Sequence, residues 1–244
     1  MNEAAVHTIA ERLARAERVF VLSGAGLGVA SGLPTFRGIG GLWNDRRVED
    51  LASLAGFTRD PQTTWAWYNE RIAAHLAARP NAGHEALAAL AELVPQLTLA
   101  TQNVDGLQLR AGSTGVIELH GNLRTLTCTG CEAADPLAGP FDPAGLRHAC
   151  GGLRRPGVVW FGEALPRDAW EAAFAASARA DAILVAGTSA QVYPAASLAR
   201  ANDAGAEVIE INPEPALDGG STLVLACGTE IGLPAIVEQL RRLR

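Results

Sequence analysis

Short β-branched runs alternate along this chain with Ala/Leu-rich stretches whose apolar residues recur every three to four positions. This rhythm predicts parallel strands joined by amphipathic helices, an α/β architecture. Strands are expected at 18–23, 97–101, 115–118, 182–186, 207–211 and 222–226, and helices at 4–16, 81–93, 167–179, 194–204 and 233–243. No internal repeat is visible. Two stretches break the rhythm: 35–79 reads as loop and helix without a good strand, and 127–155 is rich in Gly, Pro and Cys. Both read as insertions that pair into a small second lobe. The expected large lobe is then 1–34, 80–126 and 156–244, the small lobe 35–79 and 127–155, with a ligand cleft between them outside the carboxyl ends of the strands.

Composition narrows the class. With 244 residues and 48% apolar content the chain buries a sizeable core, and no segment is polar enough to predict disorder. A net charge of −6 without a long basic run argues against a direct grip on nucleic acid. The start is a mixed-charge amphipathic stretch rather than a leader, and no run approaches the roughly 20 apolar residues that span a bilayer, so a cytoplasmic protein is expected. Of four cysteines, Cys128, Cys131 and Cys150 crowd together, which in a cytosolic chain points to metal before disulfide.

The strand ending at Ser23 runs into Gly24-Ala25-Gly26-Leu27-Gly28, a turn where a phosphate can approach bare backbone and a helix N-terminus. Alone this is weak, because the third glycine of a dinucleotide fingerprint falls on Val29. The continuation through Ser31-Gly32-Leu33-Pro34-Thr35-Phe36-Arg37-Gly38 to Gly41-Leu42-Trp43 resembles the first signature of the sirtuin family. Further blocks resemble it in order: Thr101-Gln102-Asn103-Val104-Asp105-Gly106-Leu107, Glu118-Leu119-His120-Gly121-Asn122, Val158-Val159-Trp160-Phe161-Gly162-Glu163, Gly187-Thr188-Ser189 and Ile211-Asn212. The chain departs from the family at Gly28, Ala30 and Gln108, where Ser, Glu and His are frequent.

The resemblance implies a Rossmann-like parallel sheet with helices on both faces, plus a smaller lobe combining a helical segment with a zinc-ribbon-like one. It implies an NAD-dependent protein-lysine deacylase, NAD being consumed as co-substrate. The acyl oxygen displaces nicotinamide, a histidine base activates a ribose hydroxyl, and the products are nicotinamide, O-acyl-ADP-ribose and free lysine. His120 matches that base, a role that asks for a pKa near the working pH. His7, His75 and His84 lie in helical sequence and read as structural. Asn103 and Asp105 match positions that order water, nicotinamide and ribose, and Gln102 matches a ribose contact. Gly24, Ala25, Gly26, Thr35, Phe36, Arg37 and Trp43 match the phosphate turn and the loop over NAD. Gly187, Thr188, Ser189 and Asn212 lie where the adenosine half belongs. Cys227 reads either as an adenine contact or as a small buried thiol.

Tyr68 and Arg71, three apart on a helix expected at 61–78, resemble a signature of the class that includes desuccinylases; together they can hold a carboxylate. Ala52 falls where that class has a small residue widening the acyl pocket. Phe161 belongs to the segment resembling the peptide-docking loop, and acylated lysines of proteins are the implied partners. For zinc, Cys128 and Cys131 form one pair, and Cys150 precedes Gly151-Gly152 as the second pair requires, but Arg147 stands where the fourth ligand belongs. His148 offers a Cys₃His site; a metal-free lobe is the alternative. The same fold also supports NAD hydrolysis or mono-ADP-ribosyl transfer, or a non-catalytic NAD-binding module.

Overall fold

A computed structural model describes residues 2–35, 51–201, 205–217 and 222–244. Its first helix, α1 (Glu3–Arg15), starts where the Asn2 side chain accepts the Ala5 amide and buries Val6, Ile9, Ala10 and Leu13, an i, i+3, i+4, i+7 stripe. Strands β1 (Arg18–Ser23), β2 (Gln96–Thr101), β3 (Ile117–Glu118), β7 (Ala182–Ala186), β8 (Glu207–Ile211) and β9 (Thr222–Leu225) form one six-stranded parallel sheet in the order β3-β2-β1-β7-β8-β9.

Successive residues of a strand face opposite sides, and β1 uses both. Val19 and Val21 pack into a core shared with α1, α4 (Ala82–Leu93) and α7 (Thr229–Arg242), while Phe20 and Leu22 pack with residues of α6 (Arg167–Ala178) and of a short 3₁₀ turn, Ala195–Arg200. Helices therefore cover both faces, as the sequence predicts. The strand order reverses at β1, the topological switch point where open α/β sheets take ligands.

The small lobe joins α2 (Leu54–Arg59) and α3 (Pro61–Ala77) to an antiparallel sheet ordered β5-β4-β6, from β4 (Gly121–Cys128), β5 (Ala134–Pro136) and β6 (Arg154–Val158). Phe57, Trp65, Tyr68, Ile72, Phe141 and Trp160 fill its core. Among the described residues of 51–79 there is no strand, as expected.

Three expectations need correction. The small-lobe sheet begins at Gly121, ahead of residue 127, because the buried Leu123 and Leu126 of β4 face the aromatic core. Among the described residues of the helix expected at 194–204, only the 3₁₀ turn forms. The last helix starts at Thr229, before Pro234, although proline favours a first turn.

Candidate active site

The carboxyl ends of β1 and β7 cross so tightly that only glycine fits. A Cβ on Gly24 would lie 2.5 Å from the Thr188 Cβ, one on Gly26 would lie 2.8 Å from the Gly187 Cα, and Gly187 itself has φ of 62°. The Gly24 amide donates to Ala186 and the Gly26 amide to Gly187, at 3.0 and 2.7 Å. The chain then enters a 3₁₀ turn, Ala25–Ser31, rather than an α-helix. Two of the three glycine-turn amides are thus committed to protein, and the Ala25 amide is left without an acceptor among the described residues. A bare backbone crossing with one amide uncommitted among the described residues at the switch point fits a dinucleotide phosphate.

Gln102 organises the adjoining edge. Its amide donates to the Ser23 carbonyl, its side-chain nitrogen donates to Thr188 Oγ1 at 3.0 Å, and its carbonyl faces His120 Nδ1 at 3.0 Å. A carbonyl only accepts, so His120 carries its proton on Nδ1 and leaves Nε2 as a free base. Burial lowers the His120 pKa from the ordinary 6.5, against the pull of the Gln102 carbonyl. Asn103, buried, donates from Nδ2 to the Gly24 carbonyl at 3.0 Å, and its amide donates to Thr101 Oγ1. Asp105 accepts the Leu107 amide at 2.7 Å; burial raises its pKa, opposed by that amide.

Towards β8, Thr188 accepts from Asn212 Nδ2 through its carbonyl at 3.2 Å, with Ser189 half-buried beside it. Asn212 thereby ties two strand ends together. Cys227 follows β9, half-buried, with its thiol pKa pushed up by burial first and by Glu230.

On the small-lobe side the Phe161 amide donates to the Ala52 carbonyl at 3.0 Å, and the Phe161 ring is 42% exposed. Next to it Trp160, 2% exposed, donates its indole N–H to the Tyr68 hydroxyl at 2.8 Å. Tyr68 is 4% exposed, and its own hydroxyl proton has no acceptor among the described residues. Arg71 lies with its guanidinium 3.3 Å above the Trp67 ring and makes no ion pair among the described residues. Burial lowers its pKa to about 10. Of the expected NAD loop only Thr35 is described, half-buried; Phe36, Arg37 and Trp43 lie outside the described residues.

Cys128, Cys131, Cys150 and His148 bring one ligand atom each within 4.8 Å of one another. His148 Nδ1 lies 3.2 Å from Cys150 Sγ and 3.4 Å from Cys131 Sγ, whereas Arg147 turns to the Gly151 carbonyl. Three thiols and one imidazole are a structural zinc donor set.

Sequence spacing misses several residues that hold this site. The buried Gln108 side chain donates to Ser23 Oγ at 3.0 Å and to Thr101 Oγ1 at 2.9 Å, beneath Asn103. The Glu118 carboxylate, beside His120, takes Arg124 and Asn122. Arg155 pairs with both Glu163 oxygens, and Glu163 also accepts the Trp160 amide; burial raises the Glu163 pKa, but these contacts outweigh it and hold it below the ordinary value. Glu118, Asn122, Trp160 and Glu163 stand in the quoted motifs and Gln108 among the departures from the family, whereas Arg124 and Arg155 carry no such signal.

A parallel sheet with a glycine crossing at its switch point, a half-buried histidine just past the edge strand β3 and an inserted Cys₃His lobe defines a nucleotide-binding α/β protein. The Sir2 family model matches residues 24–194, and the chain belongs to the Sir2 family. A protein of Thermus thermophilus named NAD-dependent protein deacylase is 49% identical over 210 residues, covering 84% of this chain and 83% of its own. The crystal structure of a Sir2 homologue in complex with NAD superposes with a TM-score of 0.89 at 41% identity, over 100% of this chain and 95% of that one. A Sir2 protein bound to a myristoylated histone peptide superposes at 0.80 with 32% identity, over 99% and 98%.

Proposed function

We propose that this chain is an NAD-dependent protein-lysine deacylase that releases nicotinamide, O-acyl-ADP-ribose and free lysine, with acetyl and acidic acyl groups such as succinyl and malonyl as substrates. One observation carries the reading: His120 is held by the Gln102 carbonyl with Nε2 unprotonated, at the strand ends where Gly24, Asn103 and Thr188 meet. NAD would supply the driving reaction, loss of nicotinamide from an activated ribose carbon. The chain's part is to hold the phosphates at Gly24, Ala25 and Gly26, aided by Thr35, Phe36, Arg37 and Trp43. Gln102, Asn103 and Asp105 would fix the nicotinamide half, and Gly187, Thr188, Ser189, Asn212 and Cys227 the adenosine half. His120 would take a proton at Nε2 from a ribose hydroxyl.

The peptide would lie as an added strand between 187–192 and 158–163, its acyl-lysine passing Phe161, and backbone pairing would tolerate many target sequences. Tyr68 and Arg71 would read an acidic acyl group. The Arg71 guanidinium without an ion pair among the described residues and the Tyr68 proton without an acceptor there support this. The two lobes would divide near the expected boundaries, with β4 in the small one. Cys128, Cys131, His148 and Cys150 would hold a structural zinc. No described helix is long and apolar enough to cross a membrane. A cytoplasmic home agrees with the clustered free thiols.

Mass spectrometry of an acylated peptide incubated with NAD tests the function. O-acyl-ADP-ribose is expected; ADP-ribose alone, with the peptide unchanged, would make the protein an NAD hydrolase.

A further inference from the structure

Tyr68 can serve an acyl pocket in two opposite ways, since a phenol both donates one hydrogen bond and accepts. Its surroundings choose between them. The Trp160 indole nitrogen, which is only ever a donor, lies 2.8 Å from the Tyr68 oxygen, and both side chains are buried. That contact occupies a lone pair and turns the phenolic proton away from Trp160. No described residue accepts this proton. Arg71, one helical turn on, adds donors only.

Trp160 is itself fixed. The Arg155 guanidinium lies 3.4 Å above its ring, Phe57 packs at 5.2 Å between centroids, and Glu163 accepts its backbone amide at 2.8 Å while pairing with Arg155. The indole therefore has little freedom to leave Tyr68.

We propose that Trp160 is a positioning residue for acyl selectivity: its indole N–H makes Tyr68 a committed donor, so that the Tyr68–Arg71 pair favours acyl groups ending in an acceptor, above all a carboxylate, over acetyl. This rests on the acidic-acyl reading of Tyr68 and Arg71 and extends it to a residue that does not touch the substrate. Burial also raises the Tyr68 pKa and keeps the phenol neutral, able to donate.

The test compares kcat/KM for matched succinyl and acetyl peptides in wild type, Arg71→Met, Tyr68→Phe, Trp160→Phe and the Tyr68→Phe/Trp160→Phe double variant. Phenylalanine keeps a ring under Arg155 and removes the donor along with part of the indole's bulk, a packing loss that should affect succinyl and acetyl peptides alike. The succinyl-to-acetyl ratio should fall about three- to tenfold in Trp160→Phe, the worth of one neutral hydrogen bond, mostly through KM for the succinyl peptide. In the double variant the second change should add little, because the residue it acts through is gone. If Arg71→Met and Tyr68→Phe lower the ratio while Trp160→Phe leaves it alone, the role of Trp160 is refuted and the acidic reading survives. If none of the variants moves the ratio, the acidic reading fails and the Trp160 role with it. A measurement on the unmutated pocket guards against misfolding: the Trp160 indole N–H resonance, assigned in wild type, should shift more with succinyl than with acetyl peptide, and equal shifts would overturn the proposal.

Discussion

At the scale of single residues, the base role proposed for His120 turns on where its proton is pinned. His120 has Nδ1 against a carbonyl and Nε2 free, and burial keeps the ring neutral below its ordinary pKa. His120→Ala should leave NAD and peptide binding largely intact and cut turnover by a factor on the order of 10² to 10⁴, checked by steady-state kinetics beside calorimetric binding. The base works deprotonated, so kcat/KM should fall on the acid side, as pH drops through the His120 pKa. That limb should lie below the ordinary imidazole value of 6.5, and a limb above 6.5 would mean that burial does not dominate at His120. For Arg71, charge-assisted bonds to a carboxylate make Arg71→Met lower the succinyl-to-acetyl ratio by about one to two powers of ten. An unchanged ratio would leave plain deacetylation as the better description.

At the scale of elements, His84 shows a helical histidine used structurally. It stands at the third position of α4, where Nδ1 accepts the Asn81 amide while the Asn81 side chain caps the helix in return. Fully buried, it has its pKa lowered by burial to about 4, and His75 is lowered to about 4 by burial and by Arg71. Both pKa values are lower folded than unfolded, so the unfolded chain binds more protons between about pH 6.5 and 4. Stability should be complete above that window and fall as pH descends through it. His84→Gln keeps an acceptor for the cap but cannot titrate, so the drop in melting temperature from pH 7 to pH 5 should be smaller in the variant. Equal drops, read by circular dichroism, would assign the loss to other groups. The elements themselves were legible where periodicity is strong: 18–23, 182–186 and 207–211 match β1, β7 and β8 to the residue. Legibility fails where a contact joins residues far apart in sequence. Nothing local announces that Trp160 meets Tyr68, or that the Asn69 amide pairs with both backbone groups of Phe141. The motifs placed His120, Asn103 and Gln102 at one edge, whereas the commitment of the Gly24 and Gly26 amides to the β7 crossing required coordinates.

At the scale of the whole molecule, the Cys₃His cluster and the Tyr68–Arg71 pair proposed to read the acyl group belong to one packed lobe. The Trp65 indole donates to the Arg154 carbonyl at 3.0 Å, the Trp65 and Phe141 rings stack at 4.1 Å, and Asn69 clasps Phe141. Trp65 and Asn69 lie on α3, the helix that carries Tyr68 and Arg71. Arg147, the residue that breaks the expected ligand pattern, points away to backbone, while His148, which the sequence offers as the alternative ligand, brings Nδ1 beside the Cys131 and Cys150 thiols. Zinc binding to such sites is also folding free energy, so purified protein should carry about one equivalent, and His148→Ala should lower metal content and melting temperature together. Because Arg154 and Phe141 connect this lobe to α3, the same variant should raise KM for an acylated peptide more than KM for NAD, whose expected contacts among the described residues lie mainly on the six-stranded sheet's strand ends. Metal analysis, thermal melts and the two KM values decide it. A metal-free wild type with full stability would show that the aromatic core of Trp65, Phe141 and Trp160 holds the lobe unaided, and equal changes in both KM values would break the link from the cluster to α3.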